Sequence, residues 1–268
     1  MTQFLRDAKV IIAKNKTRSR EIIGLRVSFR IEQSISSNPN PAEIRIWNLK
    51  DETIARFKEP ETEVYLEAGY EGNIKNISWG NDLEVDTIFE GPDKITIIKS
   101  RDGGQQLSDT TLDLKVTPGS DMSIVVQQIF SEMKNIAISP LEIAKLLGKG
   151  NFKAGGVLNG TAKEMLQSLL DPLGVRYSIQ KGEVKFETKD DVPQQIVTIG
   201  PQSGLIGSPQ KTKEGLKAKI LLNPLVVANG FVSLRSRDLT GIYKVLNLTH
   251  IGDTWGKSWE TEFEAKTI

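Results

Sequence analysis

The stretch SSNPNPAEIRIWNLKDETIARF, residues 36–57, changes character three times. SSNPNP (36–41) is turn chemistry: proline fixes φ, and Ser and Asn bond their own backbone. EIRIW (43–47) alternates, so Ile44 and Ile46 share one face and Trp47 takes the other. DETIARF (51–57) reads as two turns of helix, with Ile54 and Phe57 turned onto a strand layer. The pattern predicts a turn, a short strand and a helix in quick succession.

Outward from this stretch, residues 1–107 are strand-like. AKVII (8–12) and LRVSFRI (25–31) flank a basic turn at 14–20, and Leu25, Val27, Phe29 and Ile31 lie on one face, with arginines on the wet side. Val64, Leu66 and Ala68 point inward from a strand at 63–68, and strands follow at 88–91 and 94–98. Short strands broken by Gly and Pro predict an antiparallel barrel or sandwich.

Residues 108–190 change period. Met122, Val125, Val126, Ile129, Phe130 and Met133 recur at helical spacing, with Ser120 as the expected N-cap. A short helix is expected at 141–147, ended by Gly148. Thr161 and Glu164 have the spacing of a capping box before the stripe Met165, Leu166, Leu169, Leu170, which reads as core. Val175, Tyr177 and Ile179, a turn at 180–183, then Val184 and Phe186 predict a hairpin. Residues 191–268 return to strands at 196–199, 216–222, 231–234, 242–249 and 259–265, with a Gly/Pro/Ser-rich stretch at 200–209. The first and third regions share a rough grammar: an alternating strand, a strand near a glycine, then a further strand. This is a weak hint of two related β modules, 1–107 and 191–268, separated by an α+β insert, 108–190.

Bulk properties bound the chemistry. The 268 residues are 38% hydrophobic and 26% charged, a soluble globular composition with ample length for a core. There is no cysteine, which excludes disulfides, thiolate metal sites and cysteine nucleophiles. No run approaches the ~20 apolar residues that span a bilayer, and the N-terminus has no apolar core of signal-peptide length. The N-x-S/T triplets at Asn76, Asn159 and Asn247 therefore read as chance. The net charge of +1 argues against a general nucleic-acid binder. Charge is nevertheless segregated: residues 1–30 carry eight basic and two acidic residues, residues 43–93 five basic and thirteen acidic. These are either two solvated faces or complementary patches that meet across a subunit interface.

A search for catalytic groups ends without a site. The single histidine, His250, falls in a predicted strand, and Asp253 lies just beyond it, so a structural role is favoured over an acid/base pair. No G-x-S-x-G elbow occurs. GLIGSPQK (204–211) lacks the G-K-[ST] ending of a phosphate loop, and Pro209 removes an amide donor. The carboxylates of 59–71 and 82–93 read as a solvated acidic face. Arg26 and Arg30 flank Phe29 in sequence, but alternation puts Phe29 on the opposite face, which weakens a base-stacking reading. No catalytic, cofactor-binding or metal residue is assigned, and no cofactor is implied.

Several short motifs, in order, resemble the baseplate hub proteins of tailed phages. They are VSFRI (27–31), Pro39-Asn40, IRIWNL (44–49), Ala68-Gly69-Tyr70, IFEG (88–91) and Asp102-Gly103. GLIGSP (204–209), LLNP (221–224), GIYKV (241–245), HIGDTWG (250–256) and WET (259–261) continue the series, and 160–186 resembles the small α+β piece of such hubs. The family often has Ser or Thr after Asn-Leu; here Lys50 stands there, so Asn48 or Asp51 is expected to start the helix. No lytic or needle domain accompanies these motifs.

The resemblance implies a mainly β, non-enzymatic virion protein with two tail-tube-like antiparallel β-barrel modules. It implies a homotrimer that joins a six-fold tail tube or distal tail protein above to a three-fold central spike below, with other baseplate proteins around it. DNA would cross the lumen only in transit, with no stable membrane anchor. Such a protein is assembled in the host cytoplasm and resides in the tail baseplate. The competing classes are a tail-associated peptidoglycan-cleaving enzyme and a barrel that binds glycan or single-stranded nucleic acid.

Overall fold

Where one face of a segment is apolar and the other charged, the chain pairs into sheet. The computed structural model describes residues 5–14, 18–188 and 195–268. Part of the basic turn expected at 14–20 therefore lies outside the described residues.

The first region holds β1 (Arg6–Lys14), β2 (Arg18–Ile22), β3 (Val27–Ser34), β4 (Pro41–Trp47), α1 (Asp51–Phe57), β5 (Thr62–Tyr70), β6 (Asn73–Gly80), β7 (Glu84–Glu90) and β8 (Asp93–Arg101). A helix-rich stretch follows: α2 (Gly104–Asp109), β9 (Thr111–Val116), α3 (Met122–Ser131), α4 (Pro140–Ala144), β10 (Gly156–Thr161), α5 (Ala162–Leu170), β11 (Arg176–Gln180) and β12 (Glu183–Glu187). The last region is β13 (Ile196–Ile199), β14 (Leu205–Lys211), β15 (Gly215–Leu221), β16 (Phe231–Arg235), β17 (Thr240–Asp253) and β18 (Trp259–Thr267). The protein is mainly β, built from several antiparallel sheets with an α+β insert.

Two compact units result. One comprises Met1–Ser34, Asn40–Asp102 and Val192–Ile268; the other Ile35–Pro39 and Gly103–Asp191. In the first, β2-β1-β5-β6 form a four-stranded sheet. A ten-stranded sheet runs β14-β15-β18-β17-β3-β4-β8-β7, with β16 paired to β17 and β13 paired parallel to β16. Four strands on that path come from the C-terminal region and four from the N-terminal region. Both quartets have the same order: numbered along the chain within each, they read 1-2-4-3. β3 therefore corresponds to β14, β4 to β15, β7 to β17 and β8 to β18. Buried threonines mark the correspondence: Thr96 pairs with Ile46 of β4, and Thr261 pairs with Ile220 of β15.

β17 fuses the quartets. It pairs along its length with β18, while its Asn247–Asp253 half also pairs with Ser34–Ser28 of β3. One core gathers Val10, Leu66 and Ile77 from the smaller sheet with Ile44, Ile46 and Ile98 from the larger. Ile54 and Phe57 of α1 join it, as does Trp259 from the C-terminal region, edge-on to Phe29 at 5.4 Å. A second core, including Leu216, Ile220, Val245 and Phe263, serves the C-terminal quartet.

The opening stretch folds as its pattern predicts: a loop, β4 with Ile44 and Ile46 fully buried, then α1. Its helix start differs. Lys50 is the N-cap residue and supplies no side-chain bond; the first turn is closed by the Lys50 carbonyl accepting from Thr53 and Ile54. Asn48 instead adopts φ 57° and binds the β7–β8 turn, donating to Asp93 at 2.9 Å and accepting from the Lys94 amide at 3.0 Å.

In the second unit, Val126, Ile129, Leu166 and Leu170 build a core, with Phe130 edge-on to Tyr177 and Phe186. The stripe of α5 is thus core, as expected. The N-cap of α3 is Asp121 rather than Ser120, because the Asp121 carboxylate accepts from the Ser123 amide at 2.9 Å while Ser120 bonds Thr117. α4 is shorter than the expected 141–147 helix, starting on the Ser139 cap; the turns beyond it close at Gly148, φ 70°. The capping box is present: Thr161 Oγ1 accepts from the Glu164 amide at 3.3 Å, and the Thr161 amide donates to Glu164 at 3.0 Å. Thr161→Ala should speed amide exchange in the first turn of α5 about fivefold. Exchange measured by mass spectrometry and unchanged there would contradict this role for the cap.

Candidate assembly surfaces

The ten-stranded sheet presents one buried and one wet face, and the antiparallel register lines up the wet side chains in rows. One row crosses four strands as Arg30, Glu43, Lys99 and Glu84, alternating in sign. A second runs Lys219, Glu262, Thr249 and Glu32. Lys219 reaches Glu262 at 2.8 Å and Glu260 at 2.9 Å, and these two hydrogen bonds hold its ammonium above the ordinary lysine value. Along single strands, Arg30 binds Glu32 at 2.9 Å and Arg45 binds Glu43 at 2.8 Å. Exposed pairs of this kind contribute only about 0–1 kcal/mol each. Their consequence is a wettable wall on which basic and acidic side chains pair. Shallow hollows of about 240 Å³ beside Arg30, Glu43 and Lys99 and about 480 Å³ beside Lys217, Lys219 and Glu262 lie on it. Among the described residues, no group of three or more Asp, Glu or His stands close enough to hold a metal ion.

The fused quartets are clasped at one end. Asp253 accepts from Arg26 Nε at 3.2 Å and Nη2 at 2.7 Å, and from the amides of Trp255 and Gly256 at 3.0 and 2.9 Å. Arg26 also lies over the Trp47 ring at 4.2 Å, and Thr254 exchanges hydrogen bonds with Val27. Burial pushes the Asp253 carboxyl up, but Arg26 and the two amides outweigh it and leave it below the ordinary 3.8. The clasp is therefore fully present above about pH 4 and is lost as pH falls through the lowered value. Asp253→Asn should cost about 1–2 kcal/mol at pH 7, discounted for the partly exposed Arg26 head. The gap from the parent protein should close in acid; urea midpoints at pH 7 and pH 3 that differ equally would contradict it.

His250 is fully buried, its Nδ1 2.8 Å from Thr261 Oγ1, while Asp253 is bound to Arg26; the two form no acid/base pair. Residues 205–211 of the glycine-rich stretch are not a phosphate loop but the strand β14, with a register shift between Ile206 and Gln210. Phe29 faces the core, away from the wet side of Arg30. The segregated charges meet within one chain: Lys9 binds Glu67 at 3.1 Å, Lys14 binds Glu59 at 3.0 Å and Arg20 binds Glu52 at 3.2 Å. The pairing of β1 with β5 brings the first two together.

What periodicity missed are the ends of the sheet. Among the described residues β7 pairs only with β8, and β14 only with β15. Ile88 and Phe89 of β7 are exposed, Phe89 by 73%. Pro209 inside β14 was the available signal, since proline in a strand marks an edge or a bulge.

No family model matches this chain, and no curated protein sequence matches it. Its fold matches solved tail proteins along nearly its full length. A tail protein from Neisseria meningitidis MC58 superposes with a TM-score of 0.63 at 10% identity, over 97% of this chain and 96% of that one. The 43 kDa tail protein of prophage MuSo2 from Shewanella oneidensis gives 0.66 at 9% identity, over 97% and 96%. An E. coli type VI secretion component, described as similar to the bacteriophage T4 tail proteins gp27 and gp5, gives 0.65 at 9% identity, over 96% and 76%. The fold is thus one shared by phage tail proteins and a type VI secretion component. Among the described residues no helix is long and apolar enough to cross a membrane.

Proposed function

We propose that this chain is a non-enzymatic structural component of a phage-type tail, the baseplate hub. The reading takes residues 1–107 and 191–268 as two tube-like modules and 108–190 as an insert between them. The observation that carries it is the repeated 1-2-4-3 strand order within one continuous sheet. Three such chains present six similar modules, which matches a six-fold tube on one side and a three-fold spike on the other. The tail tube or distal tail protein is the partner above, the central spike below, and other baseplate proteins surround the ring. The wet face, whose rows carry no excess of basic over acidic residues, suits a lumen wall that DNA crosses without being held, because net positive charge is what captures phosphate. The site of action is the tail baseplate, after assembly in the host cytoplasm.

The test is stoichiometry in purified tails by quantitative mass spectrometry. Three copies per tail are expected; absence, or six copies, would overturn the reading. Clearing on a cell-wall zymogram would favour the peptidoglycan-cleaving alternative. A salt-dependent shift of single-stranded DNA would favour the binding-barrel alternative.

A further inference from the structure

One line of side chains on the wet face of the C-terminal quartet differs in chemistry from the charge rows. Lys217 of β15 stands opposite Glu264 of β18, and Glu264 stands opposite Asn247 of β17. A primary amine, a carboxylate and a carboxamide therefore sit side by side on three neighbouring strands. Glu264 joins them: one of its oxygens pairs with Lys217 Nζ, and the other accepts from Asn247 Nδ2 at 3.1 Å. We propose that this triad is a self-modification site, at which Lys217 and Asn247 condense into an isopeptide bond with loss of ammonia. The bond forms within one chain and does not depend on the ring.

The sheet supplies reach, aim and room. Strands two apart lie about 9.6 Å from each other, within the combined reach of a lysine and an asparagine side chain. β17 shifts register between Val245 and Asn247, and a bulge re-aims the side chain beside it. Lys217, Asn247 and Glu264 all line the hollow of about 480 Å³, which leaves the released ammonia a way out. The neighbouring row shows what the chemistry needs. There Lys219, Glu262 and Thr249 stand in the same order, but threonine replaces the amide and offers no acyl carbon to attack.

The hydrogen bonds from Lys217 and then Asn247 hold the Glu264 carboxyl below the ordinary 4.5, so the resting triad is an ion pair. Reaction begins when the Lys217 ammonium passes one proton to Glu264. The freed Nζ lone pair attacks Asn247 Cγ, and the carbonyl oxygen takes up negative charge. The Cγ–Nδ2 bond then breaks as Glu264 gives its proton to Nδ2 and the carbonyl re-forms. Nζ passes its surplus proton to the departing ammonia, which leaves as ammonium, and Glu264 ends as the carboxylate it began as. Proximity and this internal proton transfer are what the sheet contributes. The triad is open to water, with Lys217 56% and Glu264 38% exposed, so the bond forms slowly after folding. Once made, it ties β15 to β17 across β18 and resists shear of the strands between them.

Intact mass spectrometry of the purified chain, sampled during incubation, reads the step directly. The parent chain should become lighter by one ammonia, and trypsin should then release one branched peptide joining Lys217 to Asn247. Because the proton moves only within the triad, the rate should be flat between about pH 6 and about pH 9. Lys217→Arg keeps a cation beside Glu264 but has no nucleophilic amine, and should hold its full mass. Glu264→Gln should slow the bond by roughly a hundredfold and make its rate climb about tenfold per pH unit, since solvent must then take the lysine proton. Circular dichroism checks that both variants fold. A parent chain that keeps its full mass and linear peptides overturns the proposal. So does hydrolysis of Asn247 to aspartate without a branch, or a loss of ammonia that survives Lys217→Arg, which would mark closure of Asn247 on its own backbone.

Discussion

Trp259→Ala should destabilise the sheet unit by about 3–5 kcal/mol, while Trp255→Ala, four residues earlier, changes stability by less than about 0.5 kcal/mol. Trp259 is 2% exposed and Trp255 74%. The difference comes from what each ring touches. Trp259 belongs to the C-terminal quartet but sits in the N-terminal core, edge-on to Phe29 and with the Arg6 guanidinium over its ring at 6.0 Å. Its removal opens a cavity at the place where the quartets are fused, and packed neighbours refill such a void only in part. Trp255 stands on the turn held by Asp253, with its ring largely in solvent. Guanidinium unfolding followed by far-UV circular dichroism checks the pair. Equal midpoints for the two variants would contradict a shared core.

Gly252→Val should cost about 2–3 kcal/mol, because the added Cβ would lie within 2.3–2.9 Å of three carbons of the Phe29 ring. The ring cannot move without disturbing its contact with Trp259. Gly72→Ala offers a contrast on steric grounds, since a Cβ there meets nothing, although its φ of 82° adds backbone strain. The informative variant is the double one. Gly252→Val with Phe29→Ala should cost less than the sum of the single changes, because the deleted ring leaves the room that the valine needs. Strict additivity in thermal melts would show that the two residues do not meet.

Much of this architecture was legible one segment at a time. The alternation of Ile44 and Ile46, the period of Val125, Val126, Ile129 and Phe130, and the Thr161–Glu164 spacing each fix a local structure whose cause is local. The misses are non-local or decided by a single bond. Asp121 outcompetes Ser120 for the cap because its carboxylate reaches the Ser123 amide. Asn48 is drawn from the helix by Asp93 and Lys94, forty-five and forty-six residues away. The glycine-rich β14 looks like a loop because its strand identity comes from β15 beside it. The segregated charges left a solvated and an intermolecular reading open, because nothing local reveals that β1 lies against β5. The candidate surfaces were hardest to see. An edge is defined by the absence of a neighbour, which no periodicity reports. The two quartets of the large sheet show only as a rough grammar, since their likeness lies in strand order and pairing.

The central claim is that two modules per chain and three chains make one ring. Electron microscopy of the purified protein tests it most directly, with native mass spectrometry on the same sample. The account predicts a three-fold ring with six-fold modulation around a central channel, at three times the 29.7 kDa of one chain. A monomer at high concentration that is also absent from purified tails, or a ring of six chains, would contradict it.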